Sequence, residues 1–225
     1  MVTLCWAAKG GSGTTVVASA LAIAQRSSTL LIDLDGEIPI VLGIPEPDRP
    51  GLSEWLGSDA PEAHLADLLV DVDDHLRLLP WCASRAPTSL DPLRAPVAGF
   101  IAADPDRRAR FVSWLGGRTR ERIIIDAGTG EPSPDLVDLA ETRLLVTRAC
   151  YLALQRAGRV HAQPTGIALV SEPGRSLSKR DVERSLGVPV VASLDLDPAI
   201  ARAVDAGLLA VRLPASIRRE LRGAA

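Results

Sequence analysis

Leu4-Cys5-Trp6-Ala7-Ala8-Lys9-Gly10-Gly11-Ser12-Gly13-Thr14-Thr15-Val16-Val17 carries the deciding pattern: an apolar strand-like run, a glycine-rich loop and the start of an apolar helix. Gly10, Gly11 and Gly13 let the backbone wrap closely around an anion and turn its N–H groups inward. The helix that follows adds the partial positive charge of its N-terminus. Thr15 occupies the hydroxyl position that ligates Mg²⁺ in phosphate-binding loops. The plain alternative is a glycine-rich turn that joins strand to helix and binds nothing.

Outward from this loop the same rhythm continues to the end of the chain. Val2 to Ala7 reads as a strand, and Thr14 to about Gln25 as a helix. Further strands are expected at Thr29–Leu34, His75–Leu79, Arg122–Asp126, Leu144–Thr147, Ile167–Val170 and Val188–Ala192. These are continuous apolar runs rather than alternating ones, which suits strands covered on both faces. Helical patterns separate nearly all of them. The expected fold is α/β: a doubly wound, mainly parallel sheet flanked by helices. Residues 1–225 are expected to form one domain, with the proline-rich stretches Pro45–Pro61 and Pro80–Pro96 as loops inside it.

Composition narrows the function classes. The 225 residues are 47% apolar and carry a formal charge of −3, so the chain can bury a core and is no polycation. Cys5, Cys82 and Cys150 are far apart and odd in number, which argues against a disulfide framework and for a reducing, cytoplasmic setting. No stretch approaches the roughly 20 apolar residues of a membrane span. Only Lys9 and Lys179 are lysines among 25 basic residues, which makes the lysine inside the glycine loop informative.

The segment Lys9-Gly10-Gly11-Ser12-Gly13-x-Thr15 resembles the deviant Walker A motif of the ParA/MinD family of P-loop ATPases, whose pattern is K-G-G-x-G-K-[ST]. Leu31-Ile32-Asp33-Leu34-Asp35 is similar to that family's second strand and switch I aspartate. Ile123-Ile124-Ile125-Asp126-Ala127-Gly128 is similar to its Walker B strand and switch II turn. Gly187-Val188-Pro189-Val190-Val191, followed by Asp195-Leu196-Asp197-Pro198, resembles its late strand and nucleotide-base loop. The resemblance implies ATP and Mg²⁺ as cofactors, bound along residues 9–15 (Lys9, Gly10, Gly11, Ser12, Gly13, Thr14, Thr15) with Asp197 and Pro198 at the base. It implies metal-holding roles for Thr15, Asp33 and Asp126. Asp35 would orient an attacking water, and Lys9 would reach the partner's phosphates across a nucleotide-sandwich homodimer.

One position departs from that pattern. Thr14 stands where the family places the lysine that reaches the phosphates within the same subunit. A unit charge about 4 Å from another is worth at most about 4 kcal/mol at an effective dielectric near 20. Losing half of that weakens binding at least about tenfold. Nucleotide binding is therefore expected to be weakened, and hydrolysis slow or absent. Within the family the degenerate loop is similar to the CpaE/TadZ pilus-positioning and septum-site-determining branch. That implies protein partners from pilus or division machinery, and recruitment by a partner to the pole, the septum or the inner membrane face. Segment Ala215–Leu221 is too short for direct membrane insertion. The alternatives are a partition ATPase that binds DNA non-specifically through Arg107, Arg108, Arg110, Arg118, Arg120, Arg122, Arg212, Arg218, Arg219 and Arg222, and a nucleotide-free dimeric scaffold.

Overall fold

A computed structural model describes residues 1–45, 50–81 and 100–224. Its centre is an eight-stranded sheet. In chain order the strands are β1 (Val2–Ala7), β2 (Thr29–Asp33), β3 (Val70–Asp71), β4 (Leu76–Leu79), β5 (Arg122–Thr129), β6 (Thr142–Arg148), β7 (Gly166–Ser171) and β8 (Val190–Asp195). Their spatial order is β3-β4-β2-β5-β1-β6-β7-β8. Every pairing is parallel except β3 with β4, which is antiparallel. This is the doubly wound architecture expected from the sequence.

Alternate residues of each central strand feed two separate cores. On one face Cys5, Leu31, Ile124, Leu144 and Ala168 pack beneath α1 (Thr14–Ala24) and α2 (Ile38–Leu42). On the other, Leu4, Trp6, Ile32, Ile123 and Ile125 meet Leu52, Trp55, Phe111 and Trp114 from α3 (Leu52–Leu56) and α4 (Pro105–Gly116). Helices α5 (Pro134–Leu139), α6 (Tyr151–Ala157), α7 (Lys179–Leu186), α8 (Pro198–Asp205), α9 (Leu209–Arg212) and α10 (Ala215–Arg222) complete the layers. Apart from Val16, every residue of α1 is buried. A helix apolar all round belongs between two layers, and here the layers are the sheet and α10. Ile217 and Leu221 of α10 are buried in the same core as α1. Arg218 and Arg222 donate to the carbonyls of Ile23 and Ala24 at the end of α1. The apolar stripe of the last helix is thus used inside the fold.

Several expectations need correction. Pro45–Pro61 is not all loop, because α3 lies within it. Gly51 is its N-cap, the Glu54 carboxylate accepts the Gly51 N–H at 2.8 Å, and Leu52, Trp55 and Leu56 are buried. Strand β5 does not end at Asp126 but continues to Thr129, with an irregularity in its pairing to β1 between Cys5 and Ala7. Strand β8 starts two residues later than expected, after Pro189, which lacks an N–H for the ladder. Cys82, Pro47 and most of the 80–96 segment lie outside the described residues.

Candidate nucleotide site

The loop between β1 and α1 is built by its glycines. Gly11 and Gly13 have φ of +73° and +94°, a region costly for any residue with a Cβ. Gly13 is the N-cap of α1 and provides no side-chain acceptor, and the first turn contains no acidic residue. The leading N–H groups of this helix are therefore left without the usual carboxylate or hydroxyl partner. Ser12 is buried and braces the loop by donating its hydroxyl to the Lys9 carbonyl at 2.6 Å. Thr14 and Thr15 are buried too, whereas Lys9 is partly exposed and donates to the Gly10 carbonyl at 3.1 Å.

Three carboxyl groups gather beside this helix start. Asp33 ends β2 and lies opposite Asp126 of β5 in the parallel register. Both are fully buried, and Asp35 is partly so. Asp33 accepts backbone N–H groups from Asp35 at 3.1 Å, Gly36 at 2.7 Å and Ile38 at 3.2 Å, so it organises the turn after β2. Burial nonetheless pushes its carboxyl up to about 7. Asp126 is raised well above the usual carboxylate range by burial first, then by Asp33. Asp35 is raised by burial and by Glu37. Asp126 Oδ1 accepts the Gly128 N–H at 3.0 Å, and the Thr15 hydroxyl is near enough to favour the ionised form. Asp126 Oδ2 is buried and makes no hydrogen bond.

These groups fit a hard, oxygen-seeking cation. Buried carboxylates that repel each other, one with an orphaned oxygen, are relieved by a positive charge beside them. Among the described residues no three acidic, His or Cys side chains converge as a coordination cage. Mg²⁺ is an ion of this hard kind, one that keeps most of its water and takes few direct protein ligands.

Beyond the loop runs a cavity of about 260 Å³ between α1 and the ends of β6–β8. Ser12, Gly13 and Asp197 are among its polar and loop lining, and Val16, Val170 and Ile200 give it apolar walls. Asp197 caps α8 by accepting the Ala199 N–H at 2.7 Å, with Pro198 as the first helical residue. Of the phosphate-loop and base-loop residues singled out in the sequence, Ser12, Gly13 and Asp197 line this cavity, while Lys9, Gly10, Gly11, Thr14, Thr15 and Pro198 are not among its lining. Gly128, quoted in the sequence as the end of the switch II-like motif, makes room for Asp35. Sequence reasoning passed over two contributors. Glu131 accepts the His161 and Ala162 N–H groups at 2.9 and 2.7 Å and so fixes the turn after β5. Arg148 lines the cavity. A lone charge ending an apolar strand was the available signal for Arg148; Glu131 has none without coordinates.

A mainly parallel sheet with a glycine loop after β1 and acidic strand ends beside it defines the P-loop nucleoside-triphosphatase class of fold. More particularly, it is the fold of the ParA/MinD ATPases. A ParA family ATPase from Chlorobium tepidum TLS superposes with a TM-score of 0.74 at 17% identity, covering 98% of this chain and 95% of that one. MinD of Pyrococcus horikoshii OT3, solved with Mg-ADP, gives 0.74 at 22% identity, with 98% and 93% covered. The MinC:MinD cell division complex of Aquifex aeolicus gives 0.75 at 18%, with 98% and 94% covered. No protein-family model and no curated protein matches the sequence. The likeness lies in the fold.

Proposed function

We propose that this chain is an ATP-binding positioning or regulatory protein that switches by nucleotide-dependent dimerisation, with weak or absent hydrolysis. The observation that carries the reading is that the uncapped start of α1 and the orphaned oxygen of Asp126 occur together, with Thr15 of that helix start beside the Asp126 carboxyl. One feature calls for an anion and the other for a cation, which is the demand a metal-bound phosphate chain meets. Thr15 is assigned to the metal, with Asp33 and Asp126 holding its water shell. Asp35 orients water, and the N–H groups of residues 10–15 cradle phosphate. Asp197 and Pro198 border the base. When bound, Mg²⁺ supplies charge neutralisation on the phosphates; the chain supplies position. Thr14 adds a hydroxyl but no charge, which sets the low turnover. Lys9, partly exposed, is free to reach a second subunit's phosphates.

The degenerate loop, together with MinD's presence in a complex with MinC, favours protein partners of the CpaE/TadZ pilus or division kind. Partner-directed recruitment within the cytoplasm belongs to this reading. No helix among the described residues is long and apolar enough to cross a membrane. The DNA-partition alternative is weaker. Arg107, Arg108, Arg118, Arg218 and Arg222 all have intramolecular acceptors or ring contacts. Titration with Mg-ATP, followed by size-exclusion with light scattering, tests the reading. Native protein should dimerise with nucleotide, and Lys9→Ala should bind but stay monomeric. A dimer unaltered in Lys9→Ala contradicts the sandwich. No change in melting temperature at millimolar nucleotide favours a nucleotide-free scaffold.

A further inference from the structure

The charge missing at Thr14 has a replacement on the neighbouring strand. β6 runs parallel to β1 with Leu145 opposite Trp6, so Arg148 ends β6 on the same side of the sheet on which β1 leads into the glycine loop. Among the described residues lining the 260 Å³ cavity, Arg148 is the one cation, and it shares that lining with Ser12 and Gly13. Its Nε is buried and makes no hydrogen bond. Its Nη1 pairs with Glu172, just beyond β7. Glu172 is paired a second time, with Arg175. One carboxylate between two guanidiniums leaves a net positive charge, and Arg175 keeps Glu172 neutralised when Arg148 turns away. The other charged groups of the lining, Asp195, Asp197 and Asp205, are acidic, so Arg148 is the group of that lining that attracts an anion. Ser12 and Gly13 bring the start of α1 into the same lining as that cation.

We propose that Arg148 is the in-subunit cation that anchors the phosphates of a nucleoside di- or triphosphate at this loop, in place of the lysine lost at Thr14. The assignment rests on the nucleotide reading above. Guanidinium is suited to the role, since it stays charged and grips phosphate through several N–H groups in one plane.

Fluorescent ADP and ATP analogues titrated with Mg²⁺ test it, with inorganic tripolyphosphate as competitor. Arg148→Met, which keeps much of the apolar stem, should weaken both nucleotides at least about tenfold, the equivalent of about 1.4 kcal/mol. It should also lose competition by tripolyphosphate. Arg148→Lys should recover part of the affinity. Glu172→Gln removes the bridge and keeps the cation, so its affinity should equal or exceed that of the native chain. Native affinity in Arg148→Met overturns the assignment. So does a loss in Glu172→Gln as large as in Arg148→Met, because the ion pair would then matter only for shaping the cavity. Should Arg148→Met not fold, the Arg148→Lys and Glu172→Gln comparison decides by the same criteria. Failure of the native chain to bind either nucleotide overturns the underlying reading as well, a result distinct from native binding that survives the loss of Arg148.

Discussion

The Asp35 carboxyl lies against the α-carbon of Gly128, so closely that a Cβ built on that glycine would overlap it. Gly128 also has a φ of +61°. The turn after β2 and the end of β5, which are far apart in sequence, therefore interlock through a missing side chain.

Gly128→Ala should act twice. The left-handed conformation adds about 1–2 kcal/mol of backbone strain, and Asp35 must swing aside. Thermal denaturation should show the stability loss, and Mg-nucleotide titration should show weakened binding. The double variant Gly128→Ala, Asp35→Ala should regain part of the stability but none of the binding. Equal stability losses in the single and double variants would mean that the overlap carries no cost.

The buried carboxyls set a pH dependence of unusual sign. Asp33 titrates near 7 in the fold, against about 3.9 when unfolded. Between those values the folded chain keeps a proton that the unfolded chain releases. Its contribution to stability therefore falls as pH rises from about 4 to about 7. Asp126 shifts in the same direction. Asp126→Asn keeps an oxygen for the Gly128 N–H and removes the charge. Without metal it should melt higher than the native chain, and the gap should widen as pH rises above the unfolded carboxyl value of about 3.9. A gap constant with pH would contradict the burial of charge at this site. Mg-nucleotide should stabilise the native chain more than this variant.

Thr14→Lys should restore a unit charge beside the phosphates. The expected gain in ATP affinity is about tenfold or more, measured by calorimetry or fluorescence, and phosphate release should rise with it. Unchanged affinity would show that the buried position of Thr14 cannot present a lysine to the loop.

Arg107 tests how the arginines are used. It is buried, donates to the Trp55 and Ala60 carbonyls at 2.6 and 2.8 Å, and stacks 3.7 Å from the centre of the Trp55 ring. Arg107→Ala strands two carbonyls and should cost about 2–4 kcal/mol of unfolding free energy. Arg107→Lys should recover little, because an ammonium cannot span both acceptors over a ring. Duplex DNA retention should not depend on this residue.

Much of this was legible in the sequence because it is local. A continuous apolar run announces a strand covered on both faces, and the order strand, glycines, Thr-Thr and helix announces the glycine loop that joins β1 to α1. Asp33 and Asp126 could be picked out because each follows such a run. What remained hidden depends on tertiary neighbours. Strand β3 is two residues long and exists because β4 offers it an edge. Helix α3 was masked by surrounding prolines, although its apolar triplet Leu52, Trp55 and Leu56 finds a core only against Trp81, Phe111 and Trp114. Arg148 looks like any charged strand end until the phosphate loop is placed beside it.

Helix α1 is clasped at its far end by the closing segment of the chain, where Arg218 and Arg222 grip its last carbonyls. Its eleven residues form a rod roughly 16 Å long. A tilt or slide imposed at the front of this rod must be delivered to the tail on the opposite side of the molecule. A spectroscopic label near Arg222 would consequently register events at Gly13, and clipping the tail would leave the rod's back end ungripped and its oily flank bare to water.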